Sequence, residues 1–221
     1  MALERSAMIA AGLKLLDEVG LEGLTLRRLA SELGVQAPAI YWHFKSKQDL
    51  LDHMASTVLV AGVREIPFNR RMRWDRWAME YGRGLRRILL LHRDGARMIS
   101  GTQLADNSLY APMENSLLIL SDAGFSSYLS IVALSTLYSY VVGFVIEEQA
   151  VCPRPNEFID FYDPEKRAQR VDGKKFPRAQ KAGGYLFTKF DRRFEDGLKL
   201  IVAGMAARKP VKAVVVKISS K

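Results

Sequence analysis

Apolar positions recur along most of the chain at the three-to-four-residue spacing of one helix face. Ile9, Leu13 and Leu16 fall at i, i+4 and i+7, followed by Val19, and Gly20 is the expected stop. Thr25 is placed to cap a short helix over 26–33. Gly34-Val35 breaks that helix, glycine supplying the positive φ that a tight turn needs. A third short helix is expected over 37–44, with Pro38 in its first turn, where a missing N–H costs nothing. Ser46 then caps a longer helix carrying Leu50, Leu51, Met54 and Val58, and Pro67 ends it.

Further helices are expected over 74–91, 95–101 and 108–123, and Ser126 caps a long apolar helix ending near Gln149. From 152 to 184 the texture changes. Four prolines, two adjacent glycines and mixed charges predict a long loop with one short helix. The last helix is expected over 187–206, with Phe190, Phe194, Leu198, Ile201, Val202 and Met205 on one face. The tail 207–221 carries five basic residues and no acid. Its VKAVVVKI run has strand character but no neighbour to pair with, so disorder is expected there. The fold class this pattern predicts is all-α, without internal repeats.

Composition narrows the function. At 48% hydrophobic residues the 221-residue chain is not a disordered one, and Cys152, its single cysteine, excludes a disulfide scaffold. The net charge of +9 suggests nucleic acid or an anionic surface. Yet it is unevenly spread: net −1 over 1–60, +5 over 61–110, −4 over 111–150 and +9 over 151–221. Glu4, Asp17, Glu18 and Glu22 interrupt the N-terminus, so no secretory leader is read there and a cytoplasmic protein is expected. The 24 uncharged residues between Asp122 and Glu147 are long enough for a bilayer, but five serines, one threonine and three tyrosines dilute them. That run is read as a helix buried in a core or a subunit interface, not in a membrane.

Two short helices joined by a glycine-containing turn, behind a supporting helix, have the layout of a helix-turn-helix unit. Leu29, Ala30, Leu33, Val35 and Ile40 would form its core. On the second helix Ala37 and Ala39 leave room in a major groove and can touch thymine methyls, with Pro38 between them, and Gln36 can pair with adenine. Tyr41, Trp42 and His43 can donate to phosphates, as can Thr25 and Lys47. Arg27 can reach a guanine bidentately. The competing reading of the same residues is a three-helix bundle whose aromatics pack inside.

The stretch from Leu15 to Leu51, LLDEVGLEGLTLRRLASELGVQAPAIYWHFKSKQDLL, resembles the DNA-binding region of the TetR family of transcriptional repressors. GLEGLTLRRLA, LGV and IYWHFKSKQDLL match in order and spacing. The remainder resembles the group around the tetracycline repressors, through His92-Arg93-Asp94-Gly95-Ala96, Gly101-Thr102, Glu114-Asn115, Gly124-Phe125-Ser126, and Gly143 through Glu147 with Gln149. The resemblance covers roughly 4–150 and the last helix, but not the 152–184 segment or the tail. It implies an all-helical homodimer on palindromic double-stranded operator DNA, with a helix-turn-helix domain at 1–46, a connector helix at 47–66, and a ligand-binding and dimerisation domain at 67–206. The helix after Ser126 and the final helix would form the intersubunit four-helix bundle.

In tetracycline repressors the inducer enters as a magnesium chelate. The resemblance places Thr102 and Glu147 at two of the positions that help hold the metal, but Ile99 where a magnesium-binding histidine stands, and isoleucine cannot ligate. Ser139, Tyr81 and Gln103 replace a second histidine, an asparagine and an arginine. The expected effector is therefore a largely apolar small molecule bound without metal or other cofactor. Its candidate contacts are Val63, Tyr81, Leu85, Ile99, Thr102, Gln103, Met113, Ser116, Leu117, Ile131, Leu134, Ser135, Ser139 and Glu147. The serines can instead bond their own helix carbonyls, and Glu147-Glu148 can be an exposed helix end. Arg70, Arg71, Arg73 and Arg76 are read as a solvated surface, and Arg86 and Arg87 as a weak candidate for an anionic effector. Cys152 is read as inert, and His43, His53 and His92 lack metal-ligand spacing. No G-x-S-x-G, H-E-x-x-H or phosphate loop is present, so an enzyme is not expected. The alternatives to a metal-free, ligand-responsive repressor are a tetracycline-responsive one and a ligand-insensitive DNA-binding protein.

Overall fold

Hydroxyl caps start three of the helices on which the molecule is built. In a computed structural model, which describes residues 4–103, 107–154 and 157–208, the Thr25 hydroxyl accepts from the Arg28 N–H at 3.1 Å and opens α2 (Leu26–Glu32). Ser46 accepts from the Asp49 N–H at 3.1 Å and opens α4 (Lys47–Arg64). Ser126 accepts from the Leu129 N–H at 3.3 Å and opens the long helix α8 (Ser127–Val151). Each cap satisfies a donor that the helix cannot satisfy itself.

The N-terminal helix α1 (Arg5–Gly23) breaks at Gly20, whose φ of 73° only glycine adopts easily, and turns once more before Leu24. Its buried face is Met8, Gly12, Leu15 and Leu16, while Ile9 and Leu13 stay half-buried. Between α2 and α3 (Ala37–Tyr41) the chain reverses at Gly34, and the Val35 N–H returns to the Ala30 carbonyl at 3.0 Å. Leu16, Leu24, Leu29, Ile40, Phe44, Leu50 and Met54 are fully buried together, so α1 to α4 share one core.

The second half is built on α5 (Trp74–Leu89), which packs against α4, α8 and α11 (Phe190–Arg208). The smaller α6 (Gly95–Ile99) and α7 (Tyr110–Asp122) complete the packing around α8. Gly62 lets α4 lie directly on Ile88, where an added Cβ would come within 2.3 Å of that side chain. Trp77 is 2% exposed and Trp74 stacks edge-on against Phe125 at 5.0 Å. Arg70 and Arg73 on this side pair with Asp122 and Asp75, whose carboxyls they hold below the ordinary range.

Inside this half Arg86 donates two bonds to Glu148, at 2.9 and 2.6 Å, and forms a second ion pair with Asp191 at 2.8 Å. Its guanidinium lies 5.0 Å from the Phe194 ring. The group therefore ties α5, α8 and α11 together. This corrects two expectations. Arg86 is not free for an anionic effector, and of the Glu147-Glu148 pair only Glu147 is exposed.

The 152–184 segment also differs from the expected long loop with one helix. After a 3₁₀ turn at Asp160–Tyr162 it forms α9 (Pro164–Arg170) and α10 (Pro177–Leu186). Both prolines sit in first turns, where they start a helix rather than break one. Asp163 caps α9 by accepting from the Glu165 and Lys166 N–H groups. Gly183 lies inside α10 because the Arg167 guanidinium occupies the space a Cβ would need. The final helix starts at Phe190 rather than 187 and includes Ala207 and Arg208, expected to belong to the tail; 209–221 lie outside the described residues.

A Glu148→Gln substitution leaves the buried Arg86 without its main anion. We expect a loss of about 3 kcal/mol of stability, read as a lowered midpoint in urea denaturation. An unchanged midpoint would show that Asp191 alone satisfies the guanidinium.

Candidate nucleic-acid interface and ligand cavity

Four buried side chains, Leu29, Ala30, Ile40 and Phe44, fix α2 and α3 against each other and leave the opposite surface free. On that surface Thr25, Arg27, Gln36, Pro38, Ala39, Tyr41 and Trp42 are exposed. Trp42 keeps 87% of its surface in solvent and Tyr41 half, so the bundle reading with inward aromatics does not describe them. An aromatic pair this open beside a small-residue helix face marks a partner surface. Ala37, His43 and Lys47 are half-buried. Lys47 donates to the Leu21 carbonyl at 2.6 Å, which anchors α4 to the end of α1 and leaves its ammonium two further donors. Arg5, which the sequence reading omits, reaches the His43 carbonyl at 3.3 Å and so stands beside the end of α3. Thirty-eight residues separate the two in sequence, and no local pattern joins them.

The C-terminal half and the end of α4 form an open cavity of about 800 Å³. Among the expected effector contacts, Val63, Tyr81, Leu85, Ile99, Thr102, Met113, Ser116, Ile131, Leu134 and Ser135 line it. Leu117, Ser139, Glu147 and Gln103 do not. The reason for α8 is helical phase: Ile131, Leu134, Ser135 and Tyr138 form one stripe along the cavity, and Ser139 and Glu147 fall outside it. Gln103 instead faces the start of α4, its N–H donating to Asp52 at 3.1 Å. Tyr138, Trp77, Phe68, Pro112, Asn115 and Arg64 line the wall and were missed. Tyr138 was findable, lying three residues past Ser135 and seven past Ile131.

The wall's chemistry is apolar with a few hydroxyls. Thr102, Ser116 and Ser135 donate to the carbonyls of Ile99, Pro112 and Val132, so they present lone pairs to the cavity. Burial pushes the Tyr81 phenol well above its usual range, and the nearby Tyr138 adds to the shift. Tyr81 is therefore a neutral O–H donor at any physiological pH. Among the described residues, no histidine, cysteine, aspartate or glutamate lines the cavity. Among the described residues no three such side chains converge on a metal-sized site.

A polar seam joins the two regions. Asp17 of α1 accepts from the Arg93 N–H and pairs with His92, both at 2.9 Å. Asp94, in left-handed backbone at φ 55°, accepts from the Leu21 N–H at 2.8 Å. Arg97 pairs with Glu22 at 2.7 Å. From the other side Gln149 of α8 holds the His92 carbonyl at 2.8 Å and the Ala96 N–H at 3.2 Å.

Residues 8–54 match the family model described as bacterial regulatory proteins, tetR family, and residues 66–209 match the tetracyclin repressor-like C-terminal domain. The chain belongs to the TetR family. It is 36% identical to the tetracycline repressor protein class A from transposon 1721 of Escherichia coli, across 95% of this chain and 93% of that one. A possible TetR family transcriptional regulator from Streptomyces coelicolor superposes with a TM-score of 0.81 at 33% identity, covering 92% and 99% of the two chains. The Streptomyces coelicolor TetR family protein ActR, solved in complex with actinorhodin, gives 0.78 at 29% identity, covering 94% and 98%. Like these TetR relatives the chain is a transcriptional regulator and not an enzyme, with a helix-turn-helix domain and the repressor ligand-binding fold.

Two substitutions separate positioning from reading in this TetR-type head. Tyr41→Ala should weaken binding to all DNA sequences similarly, by about three- to tenfold, whereas Arg27→Ala should relax discrimination at one base pair. Competition against a panel of single-base operator variants reads both. Equal losses on specific and random DNA in the Arg27 variant would remove its base-reading role.

Proposed function

We propose that the chain is a ligand-responsive repressor that binds a palindromic operator as a homodimer in the cytoplasm and is released by a small, largely apolar effector. Residues 1–46 form the DNA-binding head, 47–66 the connector, and 67–206 the ligand-binding and dimerisation body. The observation that carries this reading is that α4 begins at the exposed recognition surface and ends in the cavity wall, through Leu59, Val60 and Val63. A ligand that favours one setting of α4 shifts the separation of the two heads by its differential affinity for the two states. Recognition helices about 34–36 Å apart fit successive major grooves.

The dimer surface in this proposal is the outer side of α8 and α11. Among the described residues α8 is long and apolar enough to cross a bilayer, with only a third of its most apolar stretch buried. Val132 and Leu200 are exposed on these helices, and Gly143 and Gly204 have open space where a Cβ would stand. Small and apolar positions together suit close helix packing against a second copy. The relatives include tetracycline repressors, but among the described residues the cavity wall offers hydroxyl and amide oxygens without acid or imidazole. With Ile99 at the position of the metal-binding histidine and Glu147 off the wall, these residues do not fit a magnesium chelate.

Fluorescence anisotropy with the DNA upstream of the protein's own gene, at stated salt, tests the reading. We expect binding at least a hundredfold tighter than to random duplex, with a stoichiometry of two chains per site. Equal affinity for both DNAs would contradict it.

A further inference from the structure

At Gly20 the first helix leaves its course, and side chains of the C-terminal half close the joint so formed. The Arg154 guanidinium donates to the Asp17 carbonyl and, at 3.1 Å, to the Glu18 carbonyl. Arg93 donates to the same Glu18 carbonyl at 3.2 Å. It also fills the space beside Gly20, where an added Cβ would come within 3.1 Å of its Nε. Beyond the break Asp94 takes the Leu21 N–H. The last carbonyls of a helical run lack the next turn's N–H groups, and a cation beside them also meets the negative end of the helix dipole. Arg93 and Asp94 precede α6, whereas Arg154 arrives from the other direction, just past the end of α8. Its own place is fixed by a tight turn. The Arg154 carbonyl accepts from the Glu157 N–H at 3.0 Å and the Cys152 thiol at 2.9 Å, and the Ile159 N–H returns to the Val151 carbonyl at 2.9 Å. At its far end α1 is one body with the recognition surface: Met8, Leu15 and Leu16 share a core with Leu29 and Ile40, and Arg5 holds the His43 carbonyl.

We propose that Arg154 is a positioning residue for DNA recognition: it locks the break in α1 to the end of α8 and so sets the spacing of the two recognition helices. The inference rests on the reading of the chain as an operator-binding homodimer and adds a path to the head that bypasses α4. Bonds to two successive carbonyls fix the angle between α1 and the turn after α8, which one bond would leave free. The Arg154 side chain is 44% exposed, so the lock governs geometry more than stability.

A change of half-site spacing reads head placement directly. The probes are the palindromic site footprinted in the DNA upstream of the protein's own gene, and the same site with one base pair inserted at its centre. The insertion separates the half-sites by about 3.4 Å more and turns one against the other by about 35°. We expect the full-length protein to bind the inserted site about tenfold or more weakly. In Arg154→Gln that discrimination should shrink about threefold, the price in affinity falling on the native spacing alone, with the thermal midpoint unchanged. Arg154→Lys, which keeps the cation, should recover part of it. Unchanged discrimination in Arg154→Gln overturns the proposal and leaves the operator reading standing. So does an equal loss on both sites, which marks Arg154 as a merely structural or non-specific contributor. Failure of the unmodified protein to prefer the footprinted site over random duplex overturns the proposal together with the operator reading.

Discussion

An 18-residue helix, α4, has to satisfy two environments at once. Its first half buries Leu50, Leu51 and Met54 in the core that holds the recognition helix, and its second half gives Leu59 and Val63 to the cavity. A helix of that length spans about 27 Å and bends little without a proline or an inserted side chain. In the proposed mechanism a displacement at one end would therefore be carried to the other instead of being absorbed. Ser46 and Lys47 hold the head end, the first by its cap and the second by its bond to Leu21. Gly62 and Ile88 hold the body end in direct contact.

The polar seam between α1 and α6 gives this lever a second bearing. Asp17, Asp94 and Arg97 bond to partners across it, and Gln149 ties the α6 turn to α8. Most of these groups are half-exposed, so they set geometry more than stability. The Arg86–Glu148–Asp191 cluster works differently. Its Arg86–Glu148 pair is largely buried, with Asp191 at the surface, and it fastens α5, α8 and α11 into a frame around the cavity. A lever moves usefully only against a frame that does not yield.

Much of this was legible in the sequence, and the limits are physical. The caps Thr25, Ser46 and Ser126, and the glycine turn at Gly34, are local signals, and the helices they begin follow. The exposed face of α3 follows from its small and polar residues. The cavity wall was only partly readable, because Ser139 and Glu147 were assigned by resemblance while the phase of α8 favours Tyr138. The 152–184 segment was misread because Pro164 and Pro177 mark helix starts only when the preceding turn allows it, and Asp163 supplies the cap for the first. Arg86 and Glu148 are 62 residues apart and meet only through packing.

The central claim is that occupancy of the cavity governs the head through α4. Filling the cavity covalently tests it without knowledge of the natural effector. A Ser135→Trp substitution places an indole on the wall opposite the space a ligand would take. Affinity of that variant for operator DNA, measured by fluorescence anisotropy beside its thermal midpoint, decides the matter. The account predicts a loss of about tenfold or more in operator affinity with the fold intact. Unchanged operator affinity, with the new indole shown by its emission to be buried, would contradict it.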